Sequence, residues 1–209
     1  MPTNSNLAIS LDLRSRLLAA AEDACATEGL YDARIEDVTR RAGIAKGTFY
    51  LYFASKEAIV HAVVQEALRE LGDRCRKSVG GTSTRPERVR ALVAAHLEFY
   101  AQRPGRMRIL HQARGALKFN RSEWEPLRRA LEGHLATIAD LLGLPARLQE
   151  GDRREVARLL FGATAGICST WAATDPSGRS RVPIECADLV AGLVLEFVGA
   201  RRPARGEAR

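Results

Sequence analysis

The chain has 209 residues, 46% hydrophobic and 27% charged, with a net charge of +7. That length and apolar content support a real core, so that disorder is not the default, and provide for one sizeable domain or a small domain joined to a larger one. No stretch approaches the roughly 18 uninterrupted apolar residues of a membrane span, and the opening MPTNSNLAIS has no basic or hydrophobic leader region, so a soluble cytoplasmic protein with no membrane partner is expected.

Apolar residues recur at helical spacing almost everywhere, and no segment alternates with a period of two, which predicts an all-α chain of about nine helices. A first helix fits 12–28, with Leu13, Leu17, Ala20, Ala21 and Ala24 inward and Gly29 as its stop. Short helices fit 35–42 and 46–52. A long one begins at Ser55, which can cap it, with Glu57 in the first turn to favour the helix dipole. SVGGTSTRP, residues 78–86, is a glycine-rich connection ending in a proline suited to a helix start. Val89, Leu92, Val93, His96, Leu97 and Tyr100 then mark one face of a helix, which Pro104 and Gly105 break. Further helices fit 106–118, 124–142, 152–174 and 184–200, the last two separated by TDPSGRSRVP, and RRPARGEAR reads as a basic tail.

The positive charge is not spread evenly. Residues 1–70 hold 8 Lys and Arg against 10 Asp and Glu, whereas 71–209 hold 24 against 15. The four cysteines, Cys25, Cys75, Cys168 and Cys186, fit no CxxC or metal-ligand spacing and are expected to be reduced thiols. His61, His96, His111 and His134 lack local metal spacing, so neither metal nor cofactor is expected. GxSxG, GxxxxGK[ST], HExxH and GxGxxG are all absent, which argues against an enzyme.

Two short helices separated by Gly43 have the spacing of a helix-turn-helix. Gly43 sits where a left-handed turn is needed, and Ile44 can staple onto Phe49. At 100° per residue Phe49 and Phe53 fall within about 40° of each other, on the side of Ile35, Val38 and Ala42. Gly47 and Leu51 point the other way, with Thr48 and Tyr50 on the shoulders and Lys46 at the tip. Such a face suits close approach to a DNA duplex: Gly47 leaves room, the hydroxyls reach phosphate or base edges, and Lys46 supplies charge.

The string RIEDVTRRAGIAKGTFYLYFASKEAIV, with Ala42-Gly43-Ile44, Gly47-Thr48, Tyr50, Phe53 and Ser55-Lys56-Glu57, resembles the DNA-binding signature of the TetR/AcrR family of transcriptional regulators. The resemblance spans roughly residues 12–65 and implies a helix-turn-helix domain over 1–54 followed by an effector-binding and dimerisation domain over 55–209. It implies that Lys46, Gly47, Thr48, Tyr50 and Tyr52 contact the operator around Leu51, and that Lys56 sits on a phosphate. Arg34 replaces the usual Ser or Thr at the start of the second helix, and Ala45 replaces the Ser that caps the third. Each lost cap costs about 1 kcal/mol; Arg34 is either a phosphate ligand or a solvated arginine.

The resemblance also implies a small-molecule effector and a homodimer on a double-stranded palindromic operator. The expected effector lining is His96, Tyr100, Met107, His111, Arg114, Trp124 and Trp171, with Phe99 and Phe119 as further aromatic walls, against the plainer reading of each histidine as a core residue satisfied by one hydrogen bond. Arg103, Arg106, Arg108 and Arg114 hint at an anionic effector, against the plainer reading of a solvated basic face. Helix 156–171 carries the stripe Val156, Leu159, Leu160, Ala163, Ile167, Trp171 and the small residues Gly162, Ala165 and Gly166, and the last helix offers Leu189, Val190, Leu193, Val194, Phe197 and Val198. Two copies of this pair make a four-helix dimer interface through Leu159, Gly162, Ala163, Gly166, Ile167, Val190, Leu193, Val194 and Phe197, the alternative being ordinary core. A released repressor is the leading function. A helical protein-interaction module that no longer reads DNA is the alternative, favoured by the acidic balance of residues 1–70.

Overall fold

The computed structural model describes residues 4–30, 32–116, 124–174 and 186–200. Phe119, most of TDPSGRSRVP and the tail RRPARGEAR lie outside the described residues. Among those described there are nine α-helices and no strand: α1 Asn4–Glu28, α2 Ile35–Ala42, α3 Lys46–Phe49, α4 Lys56–Ser78, α5 Arg85–Gln102, α6 Pro104–Ala116, α7 Glu125–Leu141, α8 Glu150–Thr174 and α9 Ala187–Ala200. The chain is all-α, as its periodicity requires.

Three boundaries differ from the sequence reading. Helix α1 begins at Asn4 rather than near residue 12, because no proline or glycine interrupts the stretch between. Helix α3 stops at Phe49, and the chain continues as a tight turn in which Leu51 N donates to Thr48 O (3.2 Å) and Tyr52 N to Phe49 O (2.9 Å). Helix α6 starts at Pro104 itself, a residue whose missing N–H and fixed φ suit a first helical position. A capping box closes the start of α5: Thr84 accepts from Glu87 N, and the Glu87 carboxylate accepts from Thr84 N (3.0 Å). The T-x-x-E signature was present in SVGGTSTRPE.

The helices form two compact units. Unit 1 holds residues 1–67 and 105–128, and unit 2 holds 68–104 and 129–209; the division falls inside α4 and again inside α7. In unit 1, α1 packs on α2 and α2 on α3. Its core is Leu17, Ala21, Ala24, Val38, Ala42, Phe49 and Phe53, joined by Ile59, Val63 and Val64 of α4. Helix α6 approaches α1 so closely that a Cβ added at Gly105 would lie 3.2 Å from the Ala26 Cβ. Arg106 clamps the contact: its Nε and Nη2 donate to the two oxygens of Glu22, each at 2.8 Å. Gln112 Oε1 accepts from Leu30 N at 2.6 Å.

In unit 2, α5 packs against α8 and α9, and α8 against α9. The shared core is Val89, Leu92, Val93, Leu97 and Phe99 of α5 with Val156, Ala157, Leu160 and Phe161 of α8 and Val190, Ala191, Val194 and Val198 of α9. At about 1.5–3 kcal/mol for each large apolar side chain buried, these contacts dominate the energetics of the unit.

Candidate functional site

The angle between α2 and α3 is set by Gly43, whose φ of 66° and ψ of 40° are left-handed and whose N–H caps the end of α2. Ile44 N donates to Thr39 O (3.0 Å), which completes the turn. Arg16 of α1 reaches across to donate to Ala42 O at 2.6 Å, tying the turn to α1. Neither Arg34 nor Ala45 supplies a side-chain cap, so α3 is held by packing rather than by its own N-terminus. Phe49 is fully buried and meets Phe53 with ring centroids 5.9 Å apart, while Arg14 lies over the Phe53 ring at 5.5 Å. Two buried phenylalanines thus pin both ends of residues 49–53.

What remains outside is Lys46, Gly47, Tyr50 and Leu51, all exposed, with Thr48 and Tyr52 half-buried. Leu51 is 82% exposed, and nothing lies within 4 Å of a Cβ placed on Gly47. The Tyr50 ring stands edge-on to Phe49 at 5.3 Å, which fixes where its hydroxyl points. Lys46 Nζ donates to Glu36 Oε1 of α2 at 2.6 Å. That contact lowers the Glu36 carboxyl and raises the Lys46 ammonium relative to their ordinary values, and it was not legible from spacing because it crosses the turn. Arg34 is exposed beside Glu36, and Lys56 opens α4, where Ser55 Oγ accepts from Ala58 N at 3.2 Å. The expected DNA-facing residues are therefore gathered on unit 1, on one short exposed segment and the helix starts flanking it.

A helix-turn-helix with an uncluttered outer face is also where similarity to known proteins is concentrated. Residues 17–63 match the model of the bacterial regulatory proteins of the tetR family. That match covers the helix-turn-helix and the start of α4. Over 167 residues, 77% of this chain and 84% of the other, the protein is 25% identical to the fatty acid metabolism regulator protein of Bacillus subtilis. Over 86 residues, 41% of this chain and 39% of the other, it is 31% identical to the transcriptional activator FasR of Mycolicibacterium smegmatis. Its fold is that of FadR from Bacillus subtilis, solved in complex with stearoyl-CoA (TM-score 0.72, 20% identity, 88% of this chain and 98% of that one). It is also that of FadR from Bacillus halodurans (TM-score 0.70, 21% identity, 92% and 97%). These relatives are regulators rather than enzymes. Among the described residues no helix is long and apolar enough to cross a membrane.

The expected effector residues divide between the units. Met107, His111, Arg114 and Trp124 belong to unit 1, and His96, Tyr100 and Trp171 to unit 2. Met107 and Trp124 are buried, with Trp124 edge-on to His61 at 5.4 Å; His111 is exposed. Tyr100 and His96 are buried, and Trp171 is 43% exposed. A groove of about 320 Å³ in unit 2 is lined by Arg129, Glu132, Gly133, Leu135 and Ala136 of α7 and by Arg154 and Arg158 of α8, so none of the seven expected residues contributes to it. The basic cluster expected near residue 106 is also divided: Arg106 is held by Glu22, and Arg103 lies 3.5 Å from Glu70.

His134 joins His96 in a buried pair that spacing for metals passed over, although the stripe Leu127, His134, Leu135 and Ile138 on α7 marked it. The two rings lie 5.7 Å apart, and each faces Phe161, at 6.0 and 5.3 Å. His96 Nδ1 lies 2.7 Å from Leu92 O and so carries the proton. Burial drives His96 down to about 4 and His134 to about 3, the latter also through its neighbour His96 and Arg76. Burial likewise raises Cys25 to about 11 and Cys75 and Cys168 to about 12, which keeps these as inert thiols.

The faces of α8 and α9 also sort themselves. Val190 and Val194 point into the protomer core with Leu160, whereas Leu189 is 65% and Leu193 54% exposed. Leu159, Gly162, Ala163, Ile167 and Phe197 are half-buried, and Gly166 is exposed.

Proposed function

We propose that the chain is a cytoplasmic, non-enzymatic repressor that binds a palindromic DNA operator as a homodimer and is released by a small-molecule effector. The observation that carries the operator reading is the exposed segment Lys46–Tyr52, whose backbone is locked by buried Phe49 and Phe53 while Gly47 leaves its outer side open. Lys46, Thr48, Tyr50 and Tyr52 supply hydroxyls and charge to phosphates and base edges, and Arg34 and Lys56 flank them on the phosphate backbone. The functional division falls between residues 54 and 55, so that unit 1 as packed contains the reading domain together with parts of the regulatory one.

Dimerisation uses the outer faces of α8 and α9: Leu159, Gly162, Ala163, Gly166 and Ile167 with Leu189, Leu193 and Phe197. Val190 and Val194 serve it only indirectly, from the core beneath. Two recognition segments then enter successive major grooves about 34 Å apart. Fatty-acyl thioesters are the first effector class to try, because a relative spanning most of the chain is a fatty acid metabolism regulator. Effector binding shifts the dimer toward a conformer with a different spacing, the change passing through α4 and through α6, which Arg106 clamps to α1.

The test is selection of bound duplexes from a random pool by the full-length protein, followed by titration with stearoyl-CoA. Lys46→Ala and Tyr50→Ala each weaken binding of the selected duplex with unchanged helical circular dichroism. Absence of any sequence-specific shift refutes the repressor and leaves the protein-interaction module.

A further inference from the structure

Leu51 is the most exposed large hydrophobic residue among those described, at 82%. Its position is not loose. Its N–H donates to Thr48 O at 3.2 Å, the next two N–H groups both donate to Phe49 O, and Phe49 and Phe53 on either side are buried. The protein therefore holds an apolar side chain rigidly in water, one helical turn beyond the open Gly47. The other exposed residues of the segment 45–54 are Ala45, Lys46, Gly47, Tyr50 and Ala54, so Leu51 is its one large exposed aliphatic side chain, beside a tyrosine and a cation rather than within a broad apolar patch that a protein partner would cover.

A leucine side chain has no hydrogen-bonding atom, so it gains nothing from a phosphate or from the donor and acceptor edges of guanine, adenine and cytosine. The one apolar group that a base pair presents in the major groove is the C5-methyl of thymine. We propose that Leu51 is a specificity-determining residue that reads this methyl, selecting a thymine at one fixed position of each operator half-site. The inference rests on the operator-binding reading above and adds to it the identity of a base.

The experiment replaces each thymine of the selected operator, one position at a time, by deoxyuridine, which keeps every hydrogen bond and removes only the methyl. Burying one methyl is worth about a fourfold change in affinity. At one position the wild-type protein therefore loses about fourfold for a single half-site and about fifteenfold when both are changed, since separated positions add. Leu51→Ala, exposed and so without effect on the helical circular dichroism, binds the thymine and uracil duplexes equally. A C·G pair at that position regains affinity when its cytosine carries a 5-methyl group. If the thymine operator is bound and no uracil substitution weakens it, Leu51 does not read a methyl; if Leu51→Ala keeps the full uracil penalty, another residue does. If no duplex is retained from the pool at all, the operator reading itself fails and this inference with it.

Discussion

Cutting Arg106 away from Glu22 tests whether α6 and α1 move as one piece. The guanidinium makes two parallel hydrogen bonds of 2.8 Å to the carboxylate, and the side chains are only 16% and 28% exposed. An exposed pair is worth about 0–1 kcal/mol, and removing one partner of a fully buried pair costs about 3–5 kcal/mol. Partial exposure places this bidentate pair between the two, at about 1–2 kcal/mol of coupling. In a chain of 209 residues that corresponds to a fall of about 3–6 °C in melting temperature for Arg106→Ala. Truncating arginine also removes the packing of its stem, so the single variant overstates the pair. A double-mutant cycle with Glu22→Ala isolates the interaction, read by urea unfolding of all four proteins. The same four proteins, titrated with operator in the presence and absence of stearoyl-CoA, report whether the clamp transmits the effector signal. A coupling energy below about 0.3 kcal/mol would refute the clamp as an energetic link.

Gly43→Val places a β-branched residue at a φ of 66° and is expected to destabilise the fold by at least about 1–2 kcal/mol and to weaken operator binding, measured by thermal unfolding and gel shift. Buried neutral histidines fix a pH dependence. The folded-state values of His96 and His134, about 4 and about 3, lie below the ordinary 6.5, so their contribution is complete above pH 6.5 and is lost as pH falls from there toward 4 and then 3. Each adds a slope of up to about 1.4 kcal/mol per pH unit in that window, and His134→Phe flattens the denaturant midpoint measured between pH 6.5 and 4. Leu193→Asp puts a charge on the exposed face of α9 and is expected to yield a folded monomer in sedimentation at micromolar concentration; an unchanged mass would move the interface elsewhere.

Periodicity made the helices legible because it depends only on which residues avoid water; the face bearing Phe49 and Phe53 was read from the angle between them, and both are buried. The turn at Gly43 was legible because one residue type answers one backbone requirement. What stayed hidden were contacts between helices distant in sequence. Arg106 to Glu22 spans 84 residues and Leu30 to Gln112 spans 82, and no local pattern records such pairings. The two faces of α8 were not separable in the sequence for a related reason. Val156 and Leu160 are buried as expected, but Phe161, Thr164 and Cys168 share their inner face, whereas Leu159, Ala163 and Ile167 are only half-buried. An apolar residue facing a second copy and one facing the core look alike in a sequence.

The acidic balance of residues 1–70, which weighed against DNA binding, has a different meaning once the partners of the acidic groups are known. Asp23 and Glu28 of α1 both pair with Arg41 of α2, and Glu22 holds Arg106. These carboxylates join helices to one another, away from the exposed segment Lys46–Tyr52. Glu36 differs, because it pairs with Lys46 on the outer side, with both side chains more than half exposed. An ion pair open to water exchanges partners readily, so a phosphate can take Lys46 from Glu36, and the displaced carboxylate then opposes the DNA backbone beside it. On the proposed operator reading, Glu36 keeps affinity for arbitrary duplex low while base contacts are absent. Glu36→Gln is expected to strengthen binding to nonspecific DNA and to steepen the slope of log K against log salt by up to about 0.9, the value of one more phosphate contact. Equal slopes for the two proteins, measured by fluorescence anisotropy on a random duplex, would mean that Glu36 withholds no phosphate contact from Lys46.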